Sequence, residues 1–168
     1  MNTQGYTLIE LLVVLALTIV MLITATSLFY TTLLGGGKTA TYEYTKQVGQ
    51  HVMNQLTFHL RNAIRLMPNV DGLTCAGEGV EMSSLALQGQ DLQTTTFSLS
   101  GAKIASGAAF LTPDDVSVTD LAFICVRDTS SAPPTVTILF TLMRAGGGNA
   151  RDSVSIPFQS SITLRNEN

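Results

Sequence analysis

The sequence predicts an α+β protein: a long N-terminal helix, half membrane-spanning and half amphipathic, packed on an antiparallel β-sheet head. Three observations carry that expectation. An apolar run without charge or proline occupies residues 11–34, a stripe of apolar side chains spaced three and four apart follows it, and past Pro68 the pattern changes to alternation. Helical periodicity first and strand periodicity afterwards, in a chain of 168 residues, suits one domain with one appended element.

The first element is the apolar run. At about 1.5 Å rise per residue it is long enough to cross a hydrocarbon core of about 30 Å. An ordinary signal peptide has a shorter apolar region, about 7–15 residues. Thr18, Thr24, Thr26 and Ser27 dilute the run, but helix hydroxyls bond back to carbonyls of the preceding turn. Gly35-Gly36-Gly37 comes next. Each glycine inside a helix costs about 1 kcal/mol relative to alanine, so the expectation is a break or bend there.

A second helical stretch follows. Val48, Val52, Leu56, Leu60, Ile64 and Met67 form its stripe, widened by Met53 and Ala63, while Gln47, Gln50, His51, Asn54, Arg61 and Arg65 fall on other faces. Pro68 is expected to end it. A stripe of this kind is a core face and needs no further role.

Strands occupy the remainder. Val80, Met82, Leu85 and Leu87 suggest one interrupted by Ser83-Ser84, and residues 92–100 another, with Gly101 turning the chain toward Lys103-Ile104. Phe110-Leu111 precede a Pro113-Asp114-Asp115 turn, after which Val116, Val118, Leu121, Phe123 and Cys125 alternate. Residues 130–134 read as a loop, residues 135–143 as the strongest strand, and residues 146–149 as a second loop. Residues 153–165 close the chain as a strand containing Pro157, which marks an edge or a bulge.

Composition narrows the function classes. Only 12% of residues are charged, against about 25% in ordinary globular proteins. The net charge is −3, and the Lys and Arg residues are interleaved with acids. A nucleic-acid binder carries a basic stripe, so direct nucleic-acid contact is not expected. The chain has two cysteines, Cys75 and Cys125. In an exported chain such a pair most simply forms one disulfide; otherwise both are small buried hydrophobes.

The start of the chain is the most specific feature. Gly5-Tyr6-Thr7-Leu8-Ile9-Glu10-Leu11-Leu12-Val13-Val14 resembles, almost position by position, the start of type IV prepilins and type II secretion pseudopilins. The resemblance implies that a membrane aspartyl peptidase cuts after Gly5 and methylates the new amino terminus at Tyr6. It implies an assembly role for Glu10. Residues 6 and 10 share a helix face, so the ammonium freed at Tyr6 is placed to offset Glu10 in the same chain or in a neighbour. A plainer reading keeps Glu10 near the membrane surface, favoured by the helix dipole.

Carried along the chain, the resemblance makes residues 1–5 a leader peptide and residues 6–37 a transmembrane and filament-core helix. Residues 38–168 become an extracytoplasmic pilin-like head, with an amphipathic helix at 38–67 and a β-rich part at 68–168. Residues 112–123 and 157–166 are similar in a looser way to minor pilins and J- or W-like pseudopilins. Ser27 stands where many major pilins carry proline. The implied partners are other pilin or pseudopilin subunits, the prepilin peptidase, an inner-membrane assembly platform and membrane lipid. The implied location is the cytoplasmic membrane in a single pass, then a filament at the cell surface or in the periplasm. The alternatives are a major pilin and a single-pass anchored extracytoplasmic binding module that never polymerises.

Other constellations point to no chemistry. Asp114, Asp115, Asp120 and Asp128 offer oxygen ligands for calcium, but their spacing is not that of an EF-hand and Asp-Asp after Pro is ordinary turn chemistry. His51 and His59 lie more than two turns apart at about 3.6 residues per turn, too far to share a metal easily. The Gly146-Gly147-Gly148-Asn149 loop lacks the Lys-Ser/Thr of a phosphate loop. No nucleophile motif is present; a structural subunit without cofactor, metal or enzymatic activity is expected.

Overall fold

The computed structural model describes residues 7–69, 72, 75, 77–127, 132–145 and 153–165. The chain divides into two units, residues 1–39 and 40–168. One helix, α1 (Leu8–Asn62), belongs in part to each. Nine strands follow it among the described residues: β1 (Arg65–Met67), β2 (Gly77–Met82), β3 (Ser84–Gln88), β4 (Thr94–Ser100), β5 (Lys103–Ser106), β6 (Ala109–Phe110), β7 (Ser117–Arg127), β8 (Thr135–Arg144) and β9 (Val154–Thr163). The α+β class expected from the periodicities is the one observed.

Helical structure continues through Gly35, Gly36 and Gly37, so of the break or bend the sequence suggested there, the break does not occur. Helix propensity is a weak preference, and good helix formers on both sides carry the hydrogen-bond ladder across three poor ones.

The helix also ends earlier than Pro68. Ala63 N–H donates to the Leu60 carbonyl at 3.3 Å, tightening the last turn, and Ile64 N–H donates to the Gln88 carbonyl at 2.8 Å. The chain therefore leaves the helix to pair with β3 in antiparallel register, Leu66 opposite Leu87. Ile64 and Met67, which matched the helical stripe by spacing, belong to this exit and not to the helix.

Two antiparallel sheets form the head. One has the order β1-β3-β4-β5-β6, the other β2-β7-β8-β9. The interrupted strand expected at residues 80–87 is two strands in different sheets: Val80 and Met82 lie opposite Cys125 and Phe123, whereas Leu85 lies opposite Phe97. Gly101, at φ +62°, makes the turn between β4 and β5. On β7 the buried positions change phase from Val118 to Phe123 and Cys125. A bulge between Thr119 and Ala122 inserts the extra residue, with Asp120 at φ +56°. β9 is an edge strand, the position where Pro157 costs the ladder least. The loop expected at residues 146–149 lies outside the described residues.

Residues 40–62 of α1 bury a single stripe against both sheets: Thr45, Gly49, Val52, Leu56, Leu60 and, just past the last turn, Ala63. Val52, Leu56 and Leu60 join Leu85, Phe97 and Ile104 of one sheet and Phe123, Ile138, Phe140 and Leu142 of the other in one core. Gly49 lies under Phe158 of β9, whose ring stacks on Phe140 at 5.3 Å. A β-carbon at position 49 would fall well inside contact distance of that ring. Close approach, not turn geometry, explains this glycine.

Candidate functional site

The first turn of α1 is built by Thr7. Its Oγ1 accepts from Glu10 N–H at 3.3 Å, and its carbonyl accepts from Glu10 and Leu11 at 3.1 and 3.3 Å. Thr-x-x-Glu before an apolar run is the capping-box pattern, in which the N-cap hydroxyl satisfies an orphan N–H of the first turn. Glu10 thus sits at the positive end of the helix dipole, where a carboxylate is favoured. Thr7 was missing from the sequence-derived site, although the Thr-x-x-Glu spacing carried the signal. Gly5 and Tyr6, the expected processing pair, lie outside the described residues.

Past Glu10 the helix is apolar on every face. Leu11, Leu12, Val13, Val14 and Leu15 succeed one another in exposed positions, and Leu17, Ile19, Val20, Met21, Leu22 and Ile23 continue the pattern. A helix that is hydrophobic all round belongs in a core or a membrane. This one is long and apolar enough to cross a membrane.

Five of its threonine hydroxyls are satisfied from within. Thr18 Oγ1 donates to the Leu15 carbonyl at 2.9 Å, Thr24 to Met21 at 2.9 Å, Thr26 to Leu22 at 2.7 Å, and both Thr31 and Thr32 to Leu28 at 2.9 Å. These threonines therefore do not bring unsatisfied polar groups into lipid.

Residues 1–26 match the family model for the prokaryotic N-terminal methylation motif. No curated protein and no solved structure matches the chain. The motif spans the first turn capped by Thr7, the carboxylate of Glu10 and most of the apolar run. It indicates processing and assembly of the type IV pilin and pseudopilin kind, with a prepilin peptidase and other pilin subunits as partners. Together with the apolar helix it indicates a membrane-anchored, prepilin-like chain.

In the head, Cys75 and Cys125 form a disulfide with 5.4 Å between Cα atoms across a sequence separation of 50. The bond ties the segment after β1 to the buried face of β7. Asp114 and Asp115, the first of the calcium candidates, are committed to cations of this chain. Lys103 Nζ donates to Asp114, and that hydrogen bond, with the lysine's charge, holds the Asp114 carboxyl below its ordinary range. Asp115 accepts from the Tyr44 hydroxyl at 3.1 Å and pairs with Arg144 at 3.0 Å. The Arg144 guanidinium also lies 4.0 Å from the centre of the Tyr44 ring. Burial, followed by the Asp115 hydrogen bond, raises the Tyr44 pKa.

This cluster fastens α1 to the loop before β7, and the sequence did not show it, because it joins residues far apart in the chain. Among the described residues Asp120 pairs with neighbouring Thr119, whose hydroxyl donates to it at 3.0 Å, and Asp128 is outside the described residues. Among the described residues no group of three metal-ligating side chains comes together. His51 contacts Gln55 at 2.9 Å, and the His59 ring rests between Phe58 and Phe97 at 5.8 and 5.4 Å. Both are surface residues of the head.

Proposed function

We propose that this chain is a minor pilin or pseudopilin, a structural subunit and not an enzyme, of a type IV pilus or type II secretion-like filament. A capped helix with one carboxylate in its first turn, followed by apolar surface on all faces at the site of the methylation motif, carries this reading. The helix anchors the subunit in the cytoplasmic membrane by a single pass and enters the filament core on assembly. The head, residues 38–168, is extracytoplasmic; its disulfide supports that compartment. Ser27 in place of a helix proline supports a minor subunit over a major one.

Hydrolysis of the Gly5–Tyr6 bond leaves a carboxylate on the leader and an amine on Tyr6. The same peptidase transfers to the deprotonated amine a methyl group from a sulfonium methyl donor, which leaves as a thioether, and the product is the methylated ammonium. Glu10 lies one turn further on. A carboxylate amid hydrocarbon costs about 2.5–3.5 kcal/mol at the bilayer centre. The ammonium of a neighbouring subunit offsets that cost in the filament, making the pairing a driving force for register between subunits.

The test combines intact mass with filament shearing. Mature protein is expected to begin at N-methylated Tyr6. Glu10→Val is expected to be processed and anchored normally, yet to fall in sheared filaments by about tenfold or more, the equivalent of about 1.4 kcal/mol. Protein that retains Met1 overturns the prepilin reading. Normal entry of Glu10→Val overturns the assembly role of Glu10, and processed protein absent from every filament supports the non-polymerising module.

A further inference from the structure

We infer that the second half of β9, Phe158 to Thr163, is a strand-addition site for an extended segment of a partner protein, whose carboxylate is held by Arg61 and Arg165. β9 is the last strand of its sheet. Its register with β8 runs unbroken from Val154 to Thr163. Just past it, Leu164 N–H donates to the Pro134 carbonyl at 3.0 Å. Backbone groups alternate sides along an antiparallel strand, so the even-numbered residues face β8, while Gln159, Ser161 and Thr163 turn theirs to the open side. Pro157 has the same phase, which is why it removes no bond to β8.

The other edges of the two sheets are blunted in the ways that discourage pairing. β1 and β6 are three and two residues long. β2 carries Glu81 and a register shift between Gly77 and Val80. β9 is ten residues long, with no charge between Ser153 and Leu164 and no register shift. Pro157 blunts its first half only.

At the end of the open stretch lies a groove of about 470 Å³, lined by residues 161–164 together with Arg61, Pro133 and Arg165. Arg61 comes from the last turn of α1, and Arg165 continues the exposed phase of Ser161 and Thr163. Among the described residues no carboxylate lines the groove, and neither arginine has an ion-pair partner. The Ser161 and Thr163 hydroxyls are hydrogen-bonded to Thr137 and Thr135 at 2.8 and 3.0 Å, which ties this end of the strand to β8. Two guanidiniums beside an unpaired ladder select the occupant. An added strand supplies N–H and C=O groups to the ladder, and a carboxylate on it meets the forked guanidinium donors. A phosphate engages the arginines alone and leaves the ladder unpaired.

Every group named belongs to the head, so the contact can be tested whether or not the chain enters a filament. The probe is a short synthetic peptide of alternating threonine and valine that ends in aspartate with a free carboxylate, and its control ends in asparagine amide. Binding to the full chain in uncharged detergent is read by fluorescence anisotropy, with amide hydrogen exchange in parallel. The acid peptide is expected to bind about tenfold tighter or more than the amide, the size of a charge-assisted contact. It should slow exchange at Gln159, Ser161 and Thr163 without changing Ser160 or Ile162. Arg61→Gln with Arg165→Gln should abolish the preference for the acid. Ser161→Pro, in the phase of Pro157, should keep the head's melting transition and lose the peptide. Equal binding of the two peptides by the native chain, or exchange unchanged at Ser161 and Thr163, overturns the inference. So does displacement of the peptide by inorganic phosphate at the peptide's own concentration. Protection of the same amides that rises with chain concentration before peptide is added gives the edge to a second copy and also overturns it.

Discussion

Residues 8–32 and residues 40–62 belong to the same α-helix, yet they are written for different surroundings. In the first stretch successive large apolar residues are exposed on all faces. In the second, Val52, Leu56 and Leu60 are almost wholly buried, while Gln47, Gln50, His51 and Asn54 face water. Backbone hydrogen bonding is alike in both, so secondary structure does not distinguish them. The angular spread of apolar side chains does: a stripe calls for a sheet to cover it, and a full circumference calls for lipid or for other helices. One element can thus carry two folding problems, of which this chain solves only the second by itself.

The largest break in this comparison comes from placing one charge in each stretch. Leu56→Asp puts an unpaired carboxylate in the core, a cost beyond what a domain with about 5–15 kcal/mol of stability tolerates. The head is expected to lose its cooperative melting transition. Leu17→Asp is expected to leave that transition in place and to reduce membrane retention instead. Circular dichroism of the full chain in detergent and membrane fractionation read the two outcomes. If both variants lower the head's melting temperature equally, the two stretches are not independent in the way described.

Next in size is the disulfide, a cross-link that only the head carries among the described residues. By the chain-entropy estimate, a loop of this size contributes roughly 4 kcal/mol. Reduction or Cys75→Ser is expected to lower the head's melting temperature clearly, with anchoring unchanged. Thiol labelling of folded, exported protein should find both cysteines blocked.

Gly49→Ala sharpens the comparison further. At Gly36 and Gly37 an added β-carbon meets nothing, whereas at Gly49 it meets the Phe158 ring. Overpacking of this kind costs about 1–3 kcal/mol. Gly49→Ala should therefore destabilise the head, and Phe158→Leu in the same chain should recover part of the loss. Gly36→Ala should leave the head's stability unchanged. Equal effects at the two positions would remove the packing role assigned to Gly49.

The smallest effect is on pH dependence. Asp114 has a folded pKa below its ordinary 3.8, so its contribution is present above that value and lost as pH falls through the lowered folded one. Tyr44 has a folded pKa above 10.0, so its contribution is present below pH 10.0 and lost as pH rises through the folded value. Melting temperature is expected to be flat with respect to these two groups from pH 5 to pH 9. Asp114→Asn should remove part of the acid-side decline, and because Asp114 is exposed the change should be slight.

Much of this was legible in the residues. The apolar run, the stripe through Val52, Leu56 and Leu60, the strand at residues 135–143 and the edge position of Pro157 all follow from local patterns that the fold respects. The misreadings share one cause. Ile64 and Met67 fit the helical spacing, but a partner strand captured the backbone at Ile64. Ser83 divides two sheets, and only long-range pairing decides that. The break allowed for at the triple glycine does not occur, because local propensity was weighed without its neighbours. In the first turn Glu10 was legible and Thr7 was overlooked, though the two form one motif. The Tyr44–Asp115–Arg144 cluster was beyond reach, since residues so far apart in sequence show no periodicity of their own.

The threonine hydroxyls that bond to their own helix have a last consequence. Each spends its donor on a carbonyl one turn back, so these side chains ask no donated bond of their neighbours. Threonines closed in this way make that part of the helix portable: lipid chains around them can be exchanged for protein side chains without these internal bonds being remade. If the helix passes from membrane to filament as proposed above, that closure lowers the barrier to transfer before any partner has arrived.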